Sequence, residues 1–247
     1  MSIHRRAVSN MNINTRRHAI AVIPARGGSK RIPRKNVKPF LGKPMITYAI
    51  STALESGLFD HVIVSTDDDE ISEVAISFGA EVPFLRPASL SDDYTVTVTV
   101  VQHAITKCSD IGWASDYVCC IYPCVPLLQT TDLQRSLQIF LDSNAKFCYP
   151  VVEFESPIQR ALLMDNNGGL SFVNPKDELT RTQDLVTTFH DAGQFYWGST
   201  ESWLSETKMH SNAVGYPIPT WRTIDIDTFD DWKRAEILAK SLDSKLS

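Results

Sequence analysis

Ala19-Ile20-Ala21-Val22-Ile23-Pro24-Ala25-Arg26-Gly27-Gly28-Ser29-Lys30-Arg31-Ile32-Pro33-Arg34-Lys35-Asn36 is the stretch that decides the fold. Its opening run, Ala19–Ile23, is apolar without alternation, which predicts a short buried strand that ends at Pro24. The loop that follows has a different chemistry. Gly27 and Gly28 let the backbone bend and approach a ligand closely. Freed backbone N–H groups, the Ser29 hydroxyl and three or four of the loop's cations together make a cradle for a polyphosphate. The spacing is neither a Walker A loop nor a Gly-x-Gly-x-x-Gly dinucleotide loop. On composition alone, a solvated surface loop stands as the alternative.

Outward from this loop, strands and helices alternate. Pro44 opens a helix with Ile46, Ile50, Ala53 and Leu54 on one face, stopped by Gly57. Val62–Ser65 reads as a strand. Asp67 or Asp68 caps a helix carrying Ile71, Val74, Ala75 and Phe78, which Gly79 ends. Glu81–Leu85 is expected to be a strand, and Tyr94–Lys107 a helix, although the Thr/Val alternation of its first half favours a strand locally. Tyr117–Tyr122 and Phe147–Phe154 read as strands on either side of a helix that begins at Thr131 or Asp132. Gln194–Gly198 and Ala213–Pro217 follow as strands, then Asp225-Ile226-Asp227 at a strand end and a last helix over Trp232–Leu242. This order predicts an α/β fold with a mostly parallel sheet covered on both faces. The rhythm breaks between Glu155 and Asp184. There Asn166-Asn167-Gly168-Gly169 predicts a hairpin, a small arm that serves as a lid or a dimer contact.

Composition bounds the rest. The chain has 247 residues, 43% of them hydrophobic, and a net charge of −5. One α/β domain over residues 19–247 accommodates this length. The first acidic residue is Glu55, so a basic front precedes an acidic remainder. A local basic patch in an acidic protein points to an anionic ligand and away from nucleic acid. No apolar run approaches the roughly 20 residues of a membrane-spanning helix. Residues 1–18 are Arg-rich and acid-poor; they are expected to be a basic extension without fixed structure, and the protein to be cytoplasmic. The five cysteines lack metal-site spacing and are expected to be buried, reduced thiols, with a zinc site or a thiol nucleophile as the alternatives.

The Arg26–Asn36 loop resembles the nucleotide-binding loop of the CMP-sialic acid synthetase family, and most closely its branch that activates pseudaminic acid. The likeness continues through Phe40–Ile46, Val64–Asp68, Phe84–Pro87, Leu90–Thr95, His190–Gly198 and Asp225–Asp227. It implies a Rossmann-like, glycosyltransferase-A-type nucleotidyltransferase fold, a homodimer joined through the arm, and CTP and an acidic nonulosonic sugar as substrates. By the same resemblance Arg26, Ser29, Lys30, Lys35 and Asn36 hold the triphosphate, Arg86 helps to hold the cytidine, and Asp225 and Asp227 bind Mg²⁺. Lys30, Asp225 and Asp227 are then the catalytic set. Arg181, in Arg181-Thr182-Gln183-Asp184, matches a family stretch near the sugar and the dimer contact. Tyr122 stands where the sialic-acid branch has a sugar-contacting Gln, and Arg31 where the family has Gly. His190 and Gln194 are placed near the sugar, His190 with a structural role as the equal alternative.

Residue chemistry alone supports the metal pair, because carboxylates two apart on a strand share a face and suit Mg²⁺. A helix cap and a solvated acid remain the other reading of those two residues. Among functions, CMP transfer to another acidic sugar and a non-catalytic nucleotide-sugar sensor are the rivals. No side chain in the sequence stands out as a general base.

Overall fold

Ala19–Pro24 forms strand β1, and every residue from Ala19 to Ile23 is buried. The computed structural model describes residues 18–206, 208–210 and 212–243. The basic extension expected over 1–18 therefore lies, except for His18, outside the described residues. After the Arg26–Asn36 loop, β2 (Pro39–Phe40) and β3 (Lys43–Pro44) make a minimal hairpin. Helix α1 (Ile46–Ser56) starts two residues beyond Pro44 and ends at Gly57, whose φ of 66° is the left-handed turn a glycine supplies cheaply. Strand β4 (His61–Ser65) leads to α2 (Asp69–Ser77), capped by the Asp68 side chain accepting from the Ile71 N–H. Helix α3 spans Thr97–Asp110, with Val98, Val101, Ala104, Ile105 and Cys108 buried at helical spacing. That period overrides the local strand preference of its Thr/Val run.

Strand β5 (Tyr117–Ile121), helix α4 (Thr130–Asp142) and strand β6 (Phe147–Glu153) complete the regular part. The arm carries a separate hairpin, β7 (Leu162–Met164) with β8 (Leu170–Phe172). Strand β9 (Phe189–Asp191) and strand β10 (Phe195–Ser199) both run antiparallel to β6, interrupted at Ala192–Gln194. Helix α5 (Thr200–Ser205), strand β11 (Ala213–Pro217) and helix α6 (Phe229–Asp243) close the chain.

The main sheet has the order β11-β6-β10-β5-β1-β4, with β9 on β6. Neighbours β1 and β4, β1 and β5, and β6 and β11 are parallel, and β9 and β10 run against them. Alternate residues of the central strands feed two cores. Ala21, Ile23, Val62, Val64, Cys119 and Ile121 meet α1, α2 and α4 on one face, while Ile20, Val22, Ile63, Val118 and Cys120 meet α3 and Trp203 of α5 on the other. A third core sets Trp232 and Ala235 of α6 against Ile32, Phe40, Met45 and Ile226. Phe195 and Trp197 are fully buried core residues. All five cysteines are free thiols, four of them buried. Burial raises Cys108 to about 11 and Cys124 and Cys148 to about 12.

Two expectations about local structure are corrected. Glu81–Leu85 is not a strand: it touches the sheet only through isolated bridges from Glu81 to Ile63 and from Leu85 to Thr66. Pro83 has no N–H to continue the ladder. Asp225-Ile226-Asp227 belongs to no strand and lies in the loop before α6. Its pattern survives for another reason. Ile226 is 1% exposed and plugs the third core, which leaves the flanking carboxylates nearer solvent.

Candidate active site

The Gly27-Gly28 turn leaves the carboxyl end of β1, where open α/β sheets place their ligands. Two aspartates at the end of β4 strap it down. The Asp67 carboxylate accepts from the Gly27 N–H at 3.1 Å. Asp68 packs so closely that a Cβ on Gly27 would lie 2.5 Å from its Oδ2. Gly28, by contrast, faces open space. Asp68 also receives a two-pronged bond from Arg34, at 2.6 and 2.8 Å, and Glu70 receives the same guanidinium. Arg34 first of all holds the Asp68 carboxyl below the ordinary carboxylate range. Arg34 is therefore committed to fixing the loop, at a left-handed φ of 55°. Asn36 is buried and does similar work, donating to the Arg26 carbonyl at 2.9 Å and accepting from the Cys124 thiol.

This bracing leaves Arg26, Ser29, Lys30, Arg31, Lys35 and Asn36 around one cavity of about 460 Å³, with Pro24, Asp93 and Pro123 on its walls. All of the sequence-predicted triphosphate residues thus come together, with Arg31 among them. The cations are balanced by carboxylates from two distant segments. Asp93 pairs with Arg26 at 2.7 Å and with Lys30. Asp227 pairs with Arg31 at 2.5 Å and faces Lys35 at 3.7 Å, and Lys35 also donates to the Ile226 carbonyl at 2.8 Å.

A second cavity of about 280 Å³ adjoins the first and shares Pro24, Arg26, Asp93 and Pro123 with it. Arg86, Asp92, Thr95, Thr97 and Tyr122 complete its polar lining. Arg86 is 5% exposed; its backbone N–H is held by the Thr66 carbonyl and its Nε donates to Ser91. Burial lowers its pKa, against the opposing charge of Asp67. Burial likewise raises the Tyr122 phenol. The arrangement offers a strongly cationic chamber beside a mixed aromatic and polar one, a shape suited to a nucleoside triphosphate and a second, smaller reactant.

Asp227 meets the cationic chamber through Arg31 and Lys35, and Asp225 stands two residues before it. Crowding by the protein raises the Asp225 carboxyl, the charge of Asp227 raises it further, and Lys35 and Arg31 oppose the shift. Two repelling oxygen donors beside a cationic chamber fit a hard divalent cation, which takes further ligands from anionic oxygens and water. Among the described residues no group of three or more His, Cys, Asp or Glu is clustered for a metal, so a purely protein-built cage is not formed.

Of the proposed sugar residues, Tyr122 and Gln194 are neighbours, the Tyr122 N–H donating to the Gln194 carbonyl at 2.8 Å, while Arg181 and His190 lie elsewhere. Tyr122 lines the second cavity. Arg181 is on the arm, exposed, and bonded to Asp184 at 2.7 Å. His190 is exposed on β9, with Nδ1 on the Asp191 carbonyl. Gln194 is 5% exposed, and its amide donates to the Arg222 carbonyl at 2.9 Å, which makes it a strut inside the protein. Arg222 in turn forms a buried two-pronged pair with Asp132 at 2.6 and 2.9 Å, tying the segment before Asp225 to α4. Residues that sequence reasoning missed include Asp92, Asp93 and Thr97. Their signal was present in the Leu90–Thr95 stretch, but nothing local assigns those acids to cations more than sixty residues away.

A family model described as cytidylyltransferase matches residues 20–236. The pseudaminic acid cytidylyltransferase of Campylobacter jejuni is 45% identical over 224 residues, which are 90% of this chain and 96% of that protein. A Helicobacter pylori protein named as both a pseudaminic acid cytidylyltransferase and a sugar-nucleotide hydrolase is 32% identical over 85% of this chain and 40% of its own length. Among solved structures, a CMP:2-keto-3-deoxy-manno-octonic acid synthetase complexed with CTP superposes with a TM-score of 0.67, at 18% identity, over 91% of this chain and 99% of that one. At that identity the likeness bears on the fold, a nucleotidyltransferase α/β fold, and on nothing finer.

Proposed function

The chain belongs to the cytidylyltransferase family, and from that premise we propose that it transfers CMP from CTP to pseudaminic acid with release of pyrophosphate. The observation that carries the substrate is the 45% identity to a pseudaminic acid cytidylyltransferase along nearly the whole of both chains. The braced cationic chamber agrees with it, because such chemistry is mostly positioning and charge neutralisation. The anomeric hydroxyl oxygen of the sugar forms a bond to the α-phosphorus, and the bond from that phosphorus to the bridging oxygen breaks. Arg26, Lys30, Arg31 and Lys35 hold the phosphates and offset the charge that builds on the departing pyrophosphate. Ser29 and the loop N–H groups orient them, and Arg86 holds the cytidine end. Arg86 and Tyr122 line the same adjoining cavity, the cytidine taking its Arg86 end and the sugar approaching at Tyr122.

Asp225 and Asp227 are the residues that hold Mg²⁺. When bound there it draws charge from the phosphate oxygens and favours a deprotonated hydroxyl. The arm joins two copies in a homodimer. Its Leu163 is 59% exposed, Met164 74%, Leu170 65% and Leu179 94%, apolar side chains that a second copy would cover. Sedimentation at micromolar concentration tests the dimer, and a monomer there removes it. No described helix is long and apolar enough to cross a membrane. Incubation with CTP, Mg²⁺ and pseudaminic acid, read by mass spectrometry and pyrophosphate release, tests the reaction. One CMP-sugar per pyrophosphate is expected, with loss of turnover on chelation; CTP hydrolysis without a CMP-sugar defeats it.

A further inference from the structure

Two cations of the cradle are already occupied by oxygens of the protein's own chain. The Arg26 guanidinium donates to the Asp92 carbonyl at 2.7 Å and to Asp93 Oδ1 at 2.7 Å, and the Lys30 ammonium donates to Asp93 Oδ2. Three oxygens from adjacent residues thus bridge two cations, the number of oxygens that a terminal phosphate presents. Asp93 lines both cavities, so its carboxylate stands in the space that a polyanion has to enter. Lys30 first, and then Arg26, hold that carboxyl below the ordinary range, so it is charged at neutral pH. The segment is not a loose tail. The Asp92 carboxylate accepts from the Tyr94 N–H at 3.0 Å, the Thr95 N–H at 2.7 Å and the Thr95 hydroxyl at 2.6 Å, which closes a turn around Asp93.

A carboxylate and a phosphate oxygen cannot hold the same N–H groups at once, and like charges a few ångström apart repel each other. Asp227 also pairs with cradle cations, but the metal gives it another task. The transfer of CMP as derived above has no such task for Asp93. We infer that Asp93 is a positioning residue that stands in for phosphate: it holds Arg26 and Lys30 in the empty cradle, yields them to the triphosphate, and reclaims them as pyrophosphate leaves. This role rests on the first cavity receiving the triphosphate. Its consequence is an affinity below what the cations alone would give, for CTP and pyrophosphate alike, which favours release of the product.

Isothermal titration of wild type, Asp93→Asn and Asp93→Ser with inorganic pyrophosphate and with CTP, each with Mg²⁺ and without sugar, tests it. Both variants are expected to bind pyrophosphate about three- to tenfold more tightly, the worth of two partly exposed ion pairs. CTP is expected to gain by a similar factor, and pyrophosphate to become a correspondingly stronger product inhibitor in steady-state turnover. The gain is expected to shrink in a Lys30→Met background, because one of the two contested cations is gone. Thermal unfolding confirms the fold of each variant, and either variant suffices for the comparison. Unchanged or weaker pyrophosphate binding overturns the assignment, and so does a gain of full size in the Lys30→Met background, which would mark a general charge effect. Loss of the fold in both variants also overturns it, because Asp93 would then be structural. Tighter pyrophosphate binding by the variants, with no CMP-sugar formed by wild type, supports the role of Asp93 and defeats the functional reading. Wild type that binds neither CTP nor pyrophosphate overturns the reading of the cradle, and the role of Asp93 with it.

Discussion

Replacing Lys35 by Met separates charge from bulk at the centre of the phosphate cradle. The side chain is 21% exposed, and its ammonium donates to the Ile226 carbonyl at 2.8 Å and faces Asp227 Oδ1 at 3.7 Å. Methionine keeps the apolar stem, so packing against the loop survives. Two interactions go. One is the tie from the cradle to the Asp225–Asp227 loop; the other is a cation for the triphosphate. One charge-assisted hydrogen bond is worth about 1.5–3 kcal/mol, so kcat/KM for CTP is expected to fall roughly 10- to 150-fold. The fold is expected to persist, because the same loop is held independently by Ile226 in the third core and by the Arg222–Asp132 pair. The assay is continuous pyrophosphate release at saturating sugar over a CTP titration, with thermal unfolding as the control. A variant with wild-type kcat/KM and a wild-type melting curve would refute the placement of the triphosphate against Lys35. A variant that simply unfolds would show that the tie to Ile226 is structural.

Other outcomes follow from the same geometry. Gly27→Ala forces a methyl to within 2.5 Å of Asp68 Oδ2, so the loop must shift; turnover is expected to drop while Gly28→Ala, which meets open space, has a smaller effect in the same assay. Arg222→Ala leaves the buried Asp132 carboxylate without its cation, held only by the Gln129 N–H and the Tyr216 hydroxyl, and urea unfolding is expected to record a loss of about 3 kcal/mol. Asp68 has its carboxyl lowered chiefly by Arg34, so its contribution to stability is present above the unfolded value of about 3.9 and is lost as pH falls through the lower folded value. The stability gap between wild type and Asp68→Asn is therefore expected to shrink from neutral pH to about pH 3; a gap that stays constant with pH contradicts the pairing.

The parts of the fold that could be read from the sequence are those set by local chemistry. The apolar run of β1, the Gly57 cap and the Asp68 cap are decided within a few residues, and each appears as expected. The cradle was legible because its cations sit on one contiguous loop. Glu81–Leu85 misled because strand character was read from side chains, while the missing N–H of Pro83 decides pairing. The Asp225–Asp227 geometry was credited to a strand, yet it depends on Ile226 docking into a core built by α6 and residues near the start of the chain. Gln194 shows the limit most clearly. Its place in a family-like stretch pointed to the sugar, and only tertiary contact with Arg222 reveals a buried strut. Asp93 was invisible for the opposite reason: its partners Arg26 and Lys30 are far away in sequence and near only after β1 and the Leu90–Thr95 segment meet.

The most direct test of substrate identity is a competition between pseudaminic acid and N-acetylneuraminic acid at matched concentrations with limiting CTP and Mg²⁺, each CMP-sugar being quantified by mass spectrometry. Tyr122 offers the sugar an aromatic wall in place of an amide, and a sugar hydroxyl left buried and unpaired costs about 1–3 kcal/mol. The ratio of kcat/KM values is accordingly expected to favour pseudaminic acid by at least about tenfold. Comparable yields of the two products, or an excess of CMP-N-acetylneuraminic acid, would contradict the assignment.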